Sequence, residues 1–222
     1  MDVSRVTRSK KAAKSSYDRL SKWYDLFASP FEGEFIDTGL QKLQAAPGEI
    51  ILEIGFGTGQ GILKLAQAVG NSGKVYGIDI SEKMCEITRL KVEKAGFSKW
   101  VQLVNGDAFN LPFPDSSFNA IFMIFTLELF DTPEIPLVLK ECQRVLKKDG
   151  RLCVVAMKQK HDPTPMLKLY EWAHRKFPNY VDCRPIFVRE MLEKAGFRIL
   201  DATEISSWGF PVEVVVCGNV KN

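Results

Sequence analysis

Apolar positions along the chain alternate between two periods. Short runs read as strands: Glu49-Ile50-Ile51-Leu52-Glu53-Ile54, Lys74-Val75-Tyr76-Gly77-Ile78-Asp79, Val101-Gln102-Leu103-Val104, Ala120 to Phe125 and Arg151 to Met157. The fourth is apolar throughout, as a strand covered on both faces is. Between the runs the period lengthens to that of a helix. One helix begins near Gln60. A second is capped by Ser81, runs to about Ala95 and stops at Gly96. A third starts at Thr132-Pro133, buries Ile135, Val138, Leu139, Cys142, Val145 and Leu146, and closes at Gly150. Strand and helix alternating in this way predict an α/β fold, a Rossmann-like doubly wound sheet with five parallel strands.

The flanks read differently. Tyr17, Leu20, Tyr24 and Phe27 share one face of an N-terminal helix. Ser29-Pro30 breaks it, and a second helix over about 34–44 ends at Pro47-Gly48. After Met157 come Pro163, Pro165 and Pro178, a helical piece from Met166 to Lys176, and a helix over about 186–195 carrying Val188, Met191, Leu192 and Ala195. Two terminal strands, about 197–205 and 211–217, complete the sheet, one of them expected to be antiparallel. The expected layout is one domain: a helical cap over 1–47, a cofactor-binding core over 48–157, a substrate-side insert and helix over 158–196, and terminal strands over 197–222.

Composition narrows the class. The 222 residues are 45% hydrophobic, enough for a sizeable core. The five cysteines are odd in number and form no CxxC pair, so reduced thiols in a cytoplasmic protein are expected. His161 and His174 are not in metal-ligand spacing, and no metal is expected. No apolar run is long enough to cross a bilayer, and the N-terminus lacks the apolar stretch of a secretory signal. The basic excess gathers in residues 1–25, where seven Lys and Arg face three Asp. Such a segment suits an anionic membrane surface, which would make the protein peripheral on the membrane; a solvated tail is the alternative.

The stretch Glu53-Ile54-Gly55-Phe56-Gly57-Thr58-Gly59 sits where the first strand meets its helix, and Asp79 ends the second strand. Glycines there let backbone approach a ligand, and an acid at that distance suits ribose hydroxyls. A dinucleotide fingerprint would need glycine at position 60, which is Gln60. Neither a phosphate-binding GxxxxGK[ST] loop nor a Tyr-x-x-x-Lys pair occurs. An acid beside the glycines suits a ligand with an ammonium and a cationic centre better than one with a diphosphate.

These residues resemble the class I S-adenosylmethionine methyltransferases over about residues 50–157. The likeness rests on the glycine motif, on Asp79 within Gly77-Ile78-Asp79-Ile80-Ser81, on Asn105-Gly106-Asp107-Ala108-Phe109, and on Phe118-Asn119-Ala120-Ile121-Phe122. Within the class the chain is most similar to the quinone-methylating and phospholipid N-methylating branches, through Tyr17-Asp18 and Tyr24-Asp25. The resemblance implies S-adenosylmethionine as cofactor, held by Tyr24, Glu53, Gly55, Gly57, Gly59, Asp79, Ile80, Met84, Gly106, Asp107, Ala108, Phe109 and Phe125. Two departures stand out. Asn119 occupies a place where the family often has Asp, which would lose a carboxylate contact. Glu128 lies where many members have histidine.

Methyl transfer from a sulfonium needs alignment and exclusion of water, and a base only if the acceptor must lose a proton. Tyr17, Tyr24 and Glu128 are the candidates for the catalytic role. The insert offers Tyr170, Arg175, Tyr180 and Arg184 for an amphiphilic acceptor. That acceptor is expected to be a lipid, either a quinone precursor or an amine phospholipid. The alternatives are a soluble small molecule and a cofactor-binding module without catalysis; no nucleic-acid partner is expected.

Overall fold

A computed structural model of the chain describes residues 5–6, 29–160, 162, 165–176, 183–207 and 210–220. Within them the order is α1 (Ser29–Leu43), β1 (Ile50–Ile54), α2 (Gln60–Val69), β2 (Lys74–Asp79), α3 (Glu82–Lys94), β3 (Val101–Asn105) and β4 (Phe118–Ile124). A short 3-10 turn (Leu127–Leu129) leads to α4 (Ile135–Val145), β5 (Leu146–Met157), α5 (Pro165–Lys176), α6 (Val188–Lys194), β6 (Arg198–Ser207) and β7 (Phe210–Gly218).

The strands form one sheet in the order β3-β2-β1-β4-β5-β7-β6. Strands β1 to β5 run parallel to one another. β7 alone is antiparallel, to both β5 and β6. The expected doubly wound sheet with one reversed terminal strand is therefore present. Strand order reverses between β1 and β4, so the connections leaving their carboxyl ends go to opposite faces and open a crevice between them.

Both faces are covered. Phe35, Leu43, Ile62, Leu65 and Val92 of α1, α2 and α3 pack on one. Val138, Leu139 and Cys142 of α4, with Val188 and Leu192 of α6, pack on the other. Cys142 is buried as expected, and so are Cys153 and Cys217. Arg151 fixes α1 to the sheet: it pairs with Glu49 at 2.7 and 2.8 Å and donates to the carbonyls of Leu43 and Gln44. Asn119, where a carboxylate was expected in the family, is bonded through its amide. Its Oδ1 accepts from the Ile50 amide at 3.0 Å and from Lys147 Nζ at 2.9 Å, so an amide oxygen serves.

Ser81 caps α3 as predicted, accepting from the Met84 amide at 3.2 Å, and Gly96 follows with φ of 77°. Helix α1 begins at Ser29, where a break was expected, and not near residue 34. Two boundaries of α4 differ as well. Thr132-Pro133 does not start α4; its N-cap is Glu134, which closes a turn with Asp131 through Glu134 N to Asp131 O (2.8 Å) and Asp131 N to Glu134 Oε2 (3.0 Å). Nor does Gly150 end α4. The helix stops at Val145, and β5 begins at Leu146 because Phe118 pairs there before the register shifts to Ala120 with Arg151. The helix expected around Tyr17, Leu20, Tyr24 and Phe27 lies outside the described residues.

Candidate active site

The crevice at the β1 and β4 carboxyl ends is a cavity of about 320 Å³. Its floor is the turn from β1 into α2. Gly57 has φ of 50°, and a Cβ built there would meet nothing within 4 Å. A side chain at this position would thus be strained and would occupy open space beside the loop. Asp79 holds the loop from the end of β2: Oδ2 accepts from the Gly57 amide at 2.9 Å and Oδ1 from the Ser81 amide at 2.8 Å. Helix α3 braces the same turn through Thr88 Oγ1 to Gly57 O and Lys91 Nζ to Thr58 O, both 2.9 Å.

Glu53 lies on the cavity wall yet is only 1% exposed. Its Oε2 has no hydrogen-bond partner among the described residues. Burial, and then the nearby Asp79 charge, push its carboxyl well above the usual range. An anion there costs free energy until a cation or donor meets it. A glycine cradle, a held acid in Asp79 and an orphaned buried carboxylate together fit a ligand carrying a ribose and an ammonium or sulfonium.

The same cavity has apolar lining from Ile36 of α1, Phe125, Leu129 and Phe130. Phe125 follows β4 with φ of 46°, a left-handed conformation that bulky residues rarely take. Its ring stands edge-on to Phe35 at 5.5 Å. Strain of this kind persists where packing over-determines it, commonly beside a ligand site. Val6, Asp131, Glu134 and Cys183 are also on the wall. Arg5 grips Asp131, and its guanidinium holds that carboxyl down at about 2.

Most residues anticipated from the sequence meet here. Glu53, Gly55, Gly57, Asp79, Ile80 and Met84 line the cavity, as do Gly106, Asp107, Ala108 and Phe125. Gly59 does not. It caps α2 with φ of 84°, and a Cβ on it would come within 2.4 Å of Thr88, so it serves the close packing of loop on helix. Phe109 is also off the wall, edge-on to Phe130 at 5.5 Å.

Glu128 is not among the residues lining the cavity. Its side chain is wholly buried, with Oε1 accepting from the Met157 amide at 3.3 Å. Arg184 is likewise fully buried, and not at the wall. Its guanidinium donates to Glu128 O (3.1 Å), Phe130 O (2.6 Å) and Thr132 Oγ1 (3.1 Å), stitching the loop after β4 from beneath. Tyr170 stands one step back, donating its hydroxyl to Cys183 O at 3.2 Å. Tyr17, Tyr24 and Tyr180, with the Arg175 side chain, lie outside the described residues.

Sequence reasoning missed Val6, Asp131 and Glu134. Asp131 and Glu134 flank the helix start that had been assigned to Thr132-Pro133, so an Asp-x-x-Glu turn was the available signal. No group of histidine, cysteine and acidic residues able to hold a metal occurs among the described residues. No helix among them is long and apolar enough to cross a membrane.

Comparison with known proteins adds the following. The description "Methyltransferase domain" fits residues 51–150. A demethylmenaquinone methyltransferase of Lactobacillus johnsonii is 33% identical over 187 residues, spanning 75% of this chain and 75% of its own. A protein of the same name from Lactococcus lactis is 31% identical over 181 residues, spanning 71% and 69%. Among solved structures, an S-adenosylmethionine-dependent methyltransferase from Aquifex aeolicus is 26% identical, with a TM-score of 0.66 over 93% of this chain and 98% of that one.

Proposed function

The chain belongs to the class I S-adenosylmethionine-dependent methyltransferases, on their quinone-biosynthesis branch, and from that premise we propose that its acceptor is the reduced ring of a polyprenyl quinone precursor. The observation that carries this reading is a cavity with two kinds of lining. Glu53, Gly57 and Asp79 share one cavity wall with the apolar Ile36, Phe125, Leu129 and Phe130.

S-adenosylmethionine supplies an activated methyl group on a sulfonium. The protein's work is then binding, alignment and drying. Asp79 takes the ribose hydroxyls while its grip on the Gly57 amide keeps the loop in place. Glu53 faces the amino-acid portion, whose ammonium meets the buried carboxylate. The apolar lining receives the acceptor ring and turns its carbon toward the donor.

Methylation of a ring carbon forms a carbon–carbon bond, breaks the sulfur–methyl bond and releases one proton. Glu128 is off the cavity wall. Asp131 and Glu134 also line the cavity, and Arg5 already engages Asp131. Glu134 is the candidate we add to Tyr17 and Tyr24 for receiving that proton, directly or through water.

The test is transfer of labelled methyl from S-adenosylmethionine to reduced demethylmenaquinone, beside phosphatidylethanolamine and an aqueous extract. Label in the quinol supports the reading. Label only in the phospholipid or only in the aqueous phase overturns it.

A further inference from the structure

Three glycines of the turn after β1 have positive φ: Gly55 at 72°, Gly57 at 50° and Gly59 at 84°. Gly61 does not. It is the second residue of α2, buried on helical backbone, and it lines the cavity. Alanine holds such backbone better than glycine does. Backbone conformation therefore gives no reason for a glycine at this place. A neighbour does. A Cβ built on Gly61 would meet Glu53 of β1 first, with Oε2 at 2.7 Å, Cδ at 2.8 Å and Oε1 closer still. Along β1, Leu52 and Ile54 turn to one face of the sheet and Ile51 to the face that α2 covers. Glu53 shares the face of Ile51, so its carboxyl group lies under the first turn of α2.

We propose that Gly61 is a positioning residue for S-adenosylmethionine: by lacking a side chain it leaves the Glu53 carboxylate where that group meets the ligand's ammonium. The inference deepens the reading of Glu53 given above and rests on it. Separations under 3 Å are well inside van der Waals contact, so a methyl group on residue 61 would force one of the two to move. The carboxyl is the free end of a flexible side chain, whereas Gly61 is held in a helix. The carboxyl would move, and the fold would stay.

Position matters at this group more than at most. Glu53 Oε2 has no hydrogen-bond partner among the described residues, so the space around it, and not a bond, sets where it lies. Burial and Asp79 raise the carboxyl, so it ionises only when a cation comes to the place that it occupies. A displaced carboxylate would keep its charge and lose its aim, and an error of about 1 Å in such a contact is costly. Gly59 makes a useful contrast. Its missing side chain makes room for Thr88, which braces the loop, while that of Gly61 makes room for a group on the cavity wall.

The experiment is calorimetry of the full chain with S-adenosylmethionine, S-adenosylhomocysteine and methylthioadenosine. The first two carry the ammonium; the third keeps the nucleoside and lacks the amino-acid portion. Gly61→Ala should bind the first two about tenfold or more weakly and the third as the parent does. In the Glu53→Gln background, Gly61→Ala should add little further loss, because the charge that it displaces is already gone. Equal losses for all three ligands would overturn the proposal and make Gly61 a packing residue of the turn. So would losses that add in the double variant, or parent affinity in Gly61→Ala beside a weakened Glu53→Gln. Parent affinity in Glu53→Gln would instead remove the reading of Glu53, and the proposal with it. A loss confined to S-adenosylmethionine would support the clearance and assign Glu53 to the sulfonium. If Gly61→Ala does not fold, Gly61→Ala with Glu53→Ala should, since the methyl group then has room. Failure of that pair as well would overturn the proposal.

Discussion

Arg5 Nε lies 2.8 Å from Asp131 Oδ1 and 2.9 Å from Oδ2, and the Val6 amide donates to the same carboxylate at 3.1 Å. A contact 126 positions long in sequence thus seats Val6 on the cavity wall. Arg5 is one of the basic residues gathered at the N-terminus, and its charge is already committed to Asp131.

The pairing predicts a pH response. Arg5 holds the Asp131 carboxyl at about 2, below its ordinary 3.8. An acid depressed in the closed state favours that state above its ordinary value and stops doing so as pH falls through the lowered one. Protection of the Val6 amide from hydrogen exchange should accordingly be constant from about pH 4 to 8. Asp131→Asn should abolish that protection and speed dissociation of S-adenosylmethionine. Unchanged exchange in the variant would show that the carboxylate does not hold the segment.

Asp79 accepts from two backbone amides, so both of its oxygens are needed as acceptors. Asp79→Asn places an amide donor against one of them. Calorimetry should show affinity for S-adenosylmethionine falling about ten- to hundredfold, with the melting temperature of the empty protein falling too. Equal affinity would remove Asp79 from the site.

What could be read in advance was local. Gly55, Gly57, Asp79 and Asp107 each sit at the end of a strand or in the turn after it, and a strand, turn and helix in succession fix where such a residue lies. Ser81 as a cap is local for the same reason. That Arg184 and Glu128 lie off the cavity wall was not legible, because composition cannot say which way a side chain turns. Both charged groups face inward, bonded to backbone that only the assembled fold brings near. Asp131 was invisible as a site residue since its partner comes from the other end of the chain.

Arg184 offers a measure of that inward role. Three described acceptors around one guanidinium match its forked geometry, and a lysine has no such fork. Arg184→Leu should lower unfolding free energy by about 3 kcal/mol, since it leaves buried carbonyls without donors. Arg184→Lys should recover little of it. Urea denaturation would check both, and a parent-like midpoint in the lysine variant would deny the fork its part.

Glu128→Gln separates wall from interior. The amide oxygen can still accept from the Met157 amide. Methyl transfer should therefore stay within about threefold of the parent, and its pH profile should keep its shape. A loss of a hundredfold or more, with the basic limb of the profile displaced, would return Glu128 to the chemistry.

Glu53 should trade stability against binding. Its carboxyl is raised by burial and by Asp79, so the empty folded protein favours the protonated form. For a group raised on folding, the stabilisation is complete below its unfolded value and is lost as pH rises through the folded one. The protein without S-adenosylmethionine should hence become less stable as pH climbs above the usual carboxylate range. Glu53→Gln should flatten that slope and raise the melting temperature at neutral pH. The same change removes the anion that an ammonium would meet, so affinity for S-adenosylmethionine should fall as stability rises. Opposite signs in the two measurements are the signature of a carboxylate kept buried for its ligand. A variant less stable and equally tight would make Glu53 a packing residue instead.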